Sequence, residues 1–271
     1  VWGDLEFNCW GDNAAGQLGD GTVDGSEWGT GVMSLEGQTP LEVKTSDSNT
    51  CAKTAEGRLW CWGSRDSGIV DSAILCGNND PRTAVCEPVQ IRGLRDVREF
   101  WLGNNNACVT TGEEARLFCW GMGSSGQLGL APDSDDLVDE CGDPMVAEPC
   151  LRSPRDMELT GVENLIIDWG YMCAQSNGSV HCWGTDSSGE FGIGLPAMNE
   201  EPRGHVLPTN ERAVDFEDRR VVEIAGREST VCALLDDGRV YCWGYNYYGR
   251  VGRLGSTVYR SPMFVEVPRG N

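Results

Sequence analysis

Thirteen cysteines carry most of the reactive chemistry in this 271-residue sequence, and their spacing decides what that chemistry is. Four pairs share one pattern: Cys51 with Cys61, Cys108 with Cys119, Cys173 with Cys182, and Cys232 with Cys242. Each pair brackets a turn signal, namely Ala55-Glu56-Gly57, residues 112–115, Asn177-Gly178 and Asp236-Asp237-Gly238. The turns differ in length, yet folding each one into a hairpin sets both cysteines three steps from the turn. They then face each other across paired strands, close enough for a disulfide. Two further pairs, Cys76 with Cys86 and Cys141 with Cys150, fall in insertions that they are expected to staple. No pair has the Cys-x-x-Cys spacing of a zinc site, and the histidines are only His181 and His205. Six disulfides use twelve cysteines and leave Cys9. The same counting puts its partner within about two positions upstream of Val1, so a truncated first hairpin is expected in preference to a free thiol. Disulfides at this density belong to an oxidising compartment.

The remaining chemistry is thin. A hydrolytic triad needs a histidine base. His181 sits in a strand pattern at the place of Trp60, Phe118 and Tyr241 in other repeats, which makes it a packing residue, and His205 lies among Glu200, Glu201 and Arg203 in an insertion. No enzyme and no cofactor are expected. Asp133, Asp135, Asp136, Asp139 and Glu140 crowd one loop and could hold calcium, but their spacing is not that of an EF-hand, and a solvated acidic loop is the safer expectation. Tyr245, Tyr247 and Tyr248 beside Arg250 have the composition of a protein-recognition patch; the alternative is packing against the stapled loops. Trp28, in a Gly-rich insertion, has the same status. Asn177-Gly178-Ser179 is a glycosylation sequon on a hairpin turn.

The elements that position these residues are repeats. Cys-Trp-Gly occurs at Cys9, Cys61, Cys119, Cys182 and Cys242, spaced by 52, 58, 63 and 60 residues. A Gly follows about five residues after each Trp, as in Asp12-Asn13-Ala14-Ala15-Gly16-Gln17-Leu18-Gly19, and prolines at 40, 88, 154, 208 and 262 lie upstream of the next triplet. Runs such as Arg58-Leu59-Trp60-Cys61-Trp62 alternate as strands do, and no segment carries a helical stripe. The recurring Trp10, Trp62, Trp120, Trp183 and Trp243 are expected to pack between sheets. Units near 1–39, 40–87, 88–153, 154–207 and 208–261 follow, with 262–271 opening another. The distance from repeat proline to hairpin cysteine is 11 residues after Pro40 against 20, 19 and 24 elsewhere, as though one strand were missing.

Val231-Cys232-Ala233-Leu234 through Gly238 to Cys242-Trp243-Gly244-Tyr245-Asn246, and Cys9 through Gly19, resemble the repeat of the regulator-of-chromosome-condensation (RCC) family. The resemblance covers the whole chain. It implies an all-β fold, a β-propeller with four-stranded blades, here disulfide-stapled, single-domain and part of a longer chain, with the first and last units incomplete.

Composition narrows the function. With 42 acidic against 21 basic residues the net charge is -21, which repels a phosphate backbone and argues against nucleic acid. No apolar run is long enough to span a membrane, and Val1 begins no signal peptide. The expectation is a secreted, periplasmic or cell-surface propeller that binds a protein or cell-surface component through its face loops. A structural subunit that assembles with other chains is the alternative. A nucleotide-exchange role like that of the family's founder is disfavoured by the disulfides and the acidity.

Overall fold

The structure is a computed structural model and describes residues 7–71, 76, 84–130, 134–137, 139–141, 148–194 and 213–265. These residues form antiparallel sheets with no α-helix among them. By internal contacts the chain divides into two compact units. Unit 1 holds residues 1–113, 118–122 and 137–156; unit 2 holds 114–117, 123–136 and 157–271.

Unit 1 begins with a two-stranded sheet of β1 (Asn8–Gly11) and β2 (Ser26–Gly31). A four-stranded sheet follows in sequence order: β3 (Pro40–Thr45), β4 (Asn49–Thr54), β5 (Leu59–Ser64) and β6 (Ala84–Gln90). The next sheet runs β7 (Val97–Leu102), β8 (Asn106–Thr111), β9 (Arg116–Met122), β11 (Glu148–Asp156), with the short β10 (Asp139–Cys141) added at its edge. In unit 2, β12 (Val162–Ile167), β13 (Tyr171–Ser176) and β14 (Ser179–Gly184) form one sheet, beside which Ala213 bridges to His181. The last sheet is β15 (Val221–Arg227), β16 (Thr230–Leu235), β17 (Val240–Tyr245) and β18 (Val258–Val265).

Each residue of the Cys-Trp-Gly triplet has one task. The cysteine closes the hairpin: Cys51 pairs with Cys61, Cys173 with Cys182 and Cys232 with Cys242, and with Cys108–Cys119 all four bridges span 4.1 Å between Cα atoms. The tryptophan is fully buried, and its indole N–H donates to the preceding repeat's Gly-turn: Trp62 to Gln17 O (2.9 Å) and Trp120 to Ile69 O (2.9 Å) in unit 1, Trp183 to Gln127 O (2.7 Å) and Trp243 to Glu190 O (2.8 Å) in unit 2. A buried indole therefore keeps its one donor satisfied while contributing its whole ring to the core. The glycine admits a backbone no other residue fits: at Gly63 φ is +116° and an added Cβ would lie 2.2 Å from Ser48 O. Trp10 departs from the pattern, being 68% exposed with no partner for its indole N–H among the described residues.

The loop staples also form, Cys76 to Cys86 and Cys141 to Cys150. The second packs on the turn of the preceding repeat, where a Cβ at Gly68 would lie 2.6 Å from Cys141 Sγ. In unit 2 an arginine does the equivalent work: Arg260 on β18 donates to Asp186 O and Ser187 O at 3.3 and 2.9 Å.

The prolines correct the repeat boundaries. Pro88, Pro154 and Pro262 lie on β6, β11 and β18, each beside a Cys-Trp-Gly strand, at sheet positions that tolerate the missing N–H. The strand containing Pro262 therefore belongs to the sheet of the fifth triplet, with Met263 opposite Cys242, and residues 266–271 lie outside the described residues. Pro40 is of another kind, since it begins β3, the first strand of its sheet. Its expected counterpart is on β2: Thr30 faces Cys9 as Val89 faces Cys61 and Met263 faces Cys242, so Gly29 stands where Pro88 and Pro262 stand. The β3–β6 sheet has its four strands, and the short spacing compared prolines on different strands. Pro208 and His205 lie outside the described residues.

Candidate functional site

The loops at one end of the unit 2 sheets gather features that repeat geometry does not require. Four residues before the hairpin cysteine, Asp47, Asn104 and Glu228 occupy equivalent places, and there the β12–β13 loop carries Trp169. Trp169 is 79% exposed. Its neighbour Asp168 accepts from Ser229 N–H at 3.4 Å, tying this loop to the β15–β16 turn. Glu228 in that turn pairs with Arg250 at 2.6 Å. Arg250 ends the segment Tyr245–Arg250, so the Asp168–Ser229 and Glu228–Arg250 contacts link the loop that carries Trp169, the β15–β16 turn and the segment that carries the three tyrosines.

The tyrosines pack on one another. Tyr245 and Tyr247 are nearly parallel, 7° apart with centroids at 5.9 Å, and Tyr248 meets Tyr247 at 4.2 Å with a 60° tilt. Tyr247 is 48% and Tyr248 86% exposed, so they do not serve the core. Asn246 anchors them from below: its Oδ1 accepts from Val251 N–H, and its Nδ2 donates to Arg253 O and Ser256 O. The backbone here is strained. Glu228, Ser229 and Tyr248 take φ of 52°, 62° and 62°, the left-handed region that costs a residue with a Cβ roughly 1–2 kcal/mol.

Beneath these loops two buried residues, Tyr171 and Glu190, depart from the repeat. Asn49 and Asn106 donate Nδ2 to Ser64 O (2.7 Å) and Met122 O (2.6 Å), and Thr230 Oγ1 donates to Tyr245 O. Tyr171 takes the same place in β13, where its buried hydroxyl lies beside the Asp168 carboxylate and caps no backbone carbonyl. Burial, with the charges of Asp168 and Glu190, pushes its ionisation far up. Gln17 and Gln127 accept from Ala15 N–H and Ser125 N–H; Glu190 does so from Ser188 N–H at 2.7 Å, but as a buried carboxyl. Burial raises its pKa above the ordinary carboxylate value, with the Asp186 charge adding to the effect.

Unit 1 is built differently at the same loop positions. Asn104 Nδ2 donates to Asp47 Oδ2 at 2.8 Å, and Ser67 Oγ donates to Asn49 Oδ1 at 2.9 Å. Its first strands carry an internal cation cluster: the Lys44 ammonium lies 4.5 Å from the Phe100 ring centroid and 3.0 Å from Glu42. Lys44 and Lys53 hold Glu42 below the usual carboxylate range despite its partial burial.

Of the residues expected to recognise a partner, Tyr245, Tyr247, Tyr248 and Arg250 come together in unit 2. Trp28 belongs to β2 of unit 1 and is 82% exposed. Trp169 and Glu228 were not marked by sequence reasoning, although counting four residues back from each hairpin cysteine exposes the tryptophan. Asp133 of the acidic loop is outside the described residues; Asp135 and Asp136 are exposed, and Asp139 and Glu140 fall on β10. Among the described residues no group of three His, Cys, Asp or Glu side chains could hold a metal ion. Cys9 is unbonded among them, and burial raises its thiol pKa. His181 is buried in β14 opposite Ala174. Asn177 is exposed on the β13–β14 turn, where its Nδ2 donates to Thr160 O at 3.2 Å. A cavity of about 790 Å³ in unit 2 is lined by Phe216, Tyr241, Arg219 and Arg239, whose guanidinium groups are paired with Asp237.

Residues 225–250 match the Regulator of chromosome condensation (RCC1) repeat. Over 97% of its length the chain is 26% identical to the ultraviolet-B receptor UVR8 of Arabidopsis thaliana, of which it covers 54%. It is 26% identical over 91% of its length to the Regulator of chromosome condensation of Mus musculus, covering 56% of that protein. Against the human E3 ubiquitin-protein ligase HERC2 it is 27% identical over 95% of its length but covers only 5% of the ligase. The chain thus spans about half, or far less, of the curated relatives it matches. Among solved structures, yeast RCC1 (Prp20), crystallised with Kap60, superposes with a TM-score of 0.72 at 17% identity, covering 97% of this chain and 57% of that one. Human WBSCR16 gives 0.65 at 18% identity, covering 98% and 64%. These likenesses show the fold.

Proposed function

We propose that this chain, whose RCC1 repeats fold as disulfide-stapled β-propeller blades, is an extracytoplasmic, non-enzymatic module that binds another protein through the loops of unit 2. The observation that carries the reading is the exposed Tyr247–Tyr248 ring pair, with Tyr248 and the Arg250-paired Glu228 on left-handed backbone, together with the exposed Trp169 on the β12–β13 loop of the same unit. Large exposed aromatics beside arginine are the residues interfaces use as anchors, and backbone strain concentrates where function demands it. Six disulfides support an oxidising location, since cytosolic thiols are kept reduced. The fold is one that binds proteins in its relatives: structures of Prp20 concern its complex with Kap60 and its binding to Gsp1p and histones. A nucleic-acid partner suits this chain poorly, because its charge of -21 opposes a polyanion.

The test is retention from the extracytoplasmic fraction of the source organism. The immobilised, non-reduced chain should hold a discrete protein that the Trp169→Ser/Tyr248→Ser variant releases. Equal retention by both, or recovery of the native chain with its twelve paired cysteines as free thiols, overturns the reading.

A further inference from the structure

The unit 2 tyrosines form an open corner for a cation. Two nearly parallel rings and a third tilted by 60° present π-faces in two orientations, an arrangement that attracts lysine and arginine side chains. Unit 1 shows the same chemistry already filled from within: Lys44 lies over Phe100 at 4.5 Å and Trp101 at 5.9 Å, with Glu42 at 3.0 Å. No cation of the described residues lies over Tyr245, Tyr247 or Tyr248. Arg250, the adjacent base, is instead held by Glu228 at 2.6 Å. The chain as a whole carries 42 acidic against 21 basic residues, so its field draws a cationic partner in and repels an acidic one.

From this juxtaposition we infer that the Tyr247–Tyr248 corner receives a lysine or arginine side chain from a basic segment of the partner protein. This rests on the unit 2 loops being the interaction face. The backbone strain at Tyr248 then has a use. Left-handed φ turns its ring out of the position that Ala15, Ser67, Ser125 and Ser188 occupy in the other repeats, and fixes it against Tyr247. A preorganised wall loses little conformational freedom when the cation arrives.

The probe is a capped twelve-residue peptide alternating Lys and Ser, with its Glu/Ser counterpart, titrated calorimetrically into the full disulfide-bonded chain. The basic peptide should bind and the acidic one should not. Tyr247→Ala/Tyr248→Ala should weaken the basic peptide about tenfold, the effect of losing two cation–π contacts. Both rings are exposed, so the variant keeps its fold, which circular dichroism verifies. Asp47→Asn, which removes one charge from unit 1, should change binding less than about twofold. Binding that the double variant preserves would assign the attraction to general acidity and overturn the proposal. Absence of basic-peptide binding also overturns it; if partner retention by the wild-type chain persists, the interaction face stands and only its cationic specificity falls.

Discussion

Units 1 and 2 use the same triplet for opposite ends. In both, cysteine bridges the hairpin, tryptophan donates to the preceding turn, and glycine lets two backbones meet. At the loops they diverge. Unit 1 joins Asp47 to Asn104 and caps its strands with Asn49 and Asn106, satisfying polar groups internally. Unit 2 puts Trp169 at the Asp47 place, Tyr171 at the asparagine place and Glu190 at the glutamine place. The last two changes lower stability, through a buried hydroxyl that caps no backbone carbonyl and a buried carboxyl, while the first leaves an apolar ring in water. The scaffold common to both units tolerates these losses because its energy is concentrated elsewhere, in buried indoles and disulfides.

That division of labour can be broken at several depths. The largest effect should come from the shared scaffold: Trp120→Ala in unit 1 and Trp183→Ala in unit 2 should each cost about 3–5 kcal/mol in denaturant unfolding. A large difference between the two would show that the units do not share one stabilising logic. Next, replacing Cys173 and Cys182 together by serine should cost about 3 kcal/mol, the loop-closure value for a hairpin of this size. Cys108 and Cys119 replaced together should cost the same.

Smaller changes separate the loops. Tyr248→Gly should raise stability by about 1 kcal/mol, because glycine takes a φ of 62° without strain, while abolishing partner retention. A loss of stability would mean that the ring contributes more than its backbone costs. Glu190→Gln should stabilise the chain at neutral pH. The raised pKa of Glu190 means the folded state favours the protonated form, so this group's contribution is fully present below the unfolded carboxylate value and is lost as pH rises through the folded one. The variant's advantage should therefore shrink on acidification. Thermal unfolding of both proteins between pH 4 and 7.5, set as about the carboxylate range and above, checks the sign.

How much of this was legible in the sequence follows from its physics. The hairpin cysteines were readable because an antiparallel ladder turns sequence offset into register without knowledge of anything distant. The tyrosine patch was visible as an excess over the repeat consensus. The boundary at Pro40 misled because proline marks tolerance of a missing N–H, and β2 carries Gly29 there instead. Trp10 carries the same triplet as the buried tryptophans, yet burial depends on a neighbouring turn that its own residues do not encode. Trp169 escaped notice because a single loop tryptophan has no periodicity, and the burial of the Tyr171 hydroxyl beside Asp168 needs three dimensions to be seen.

The most direct test of the division is hydroxyl-radical footprinting of the chain with its retained partner bound. The account predicts protection at Trp169, Tyr247 and Tyr248, with Trp10 and Trp28 of unit 1 as reactive as in the free chain. Protection of Trp28 or Trp10 with the unit 2 rings unchanged would contradict it and move the interaction face to the first sheet.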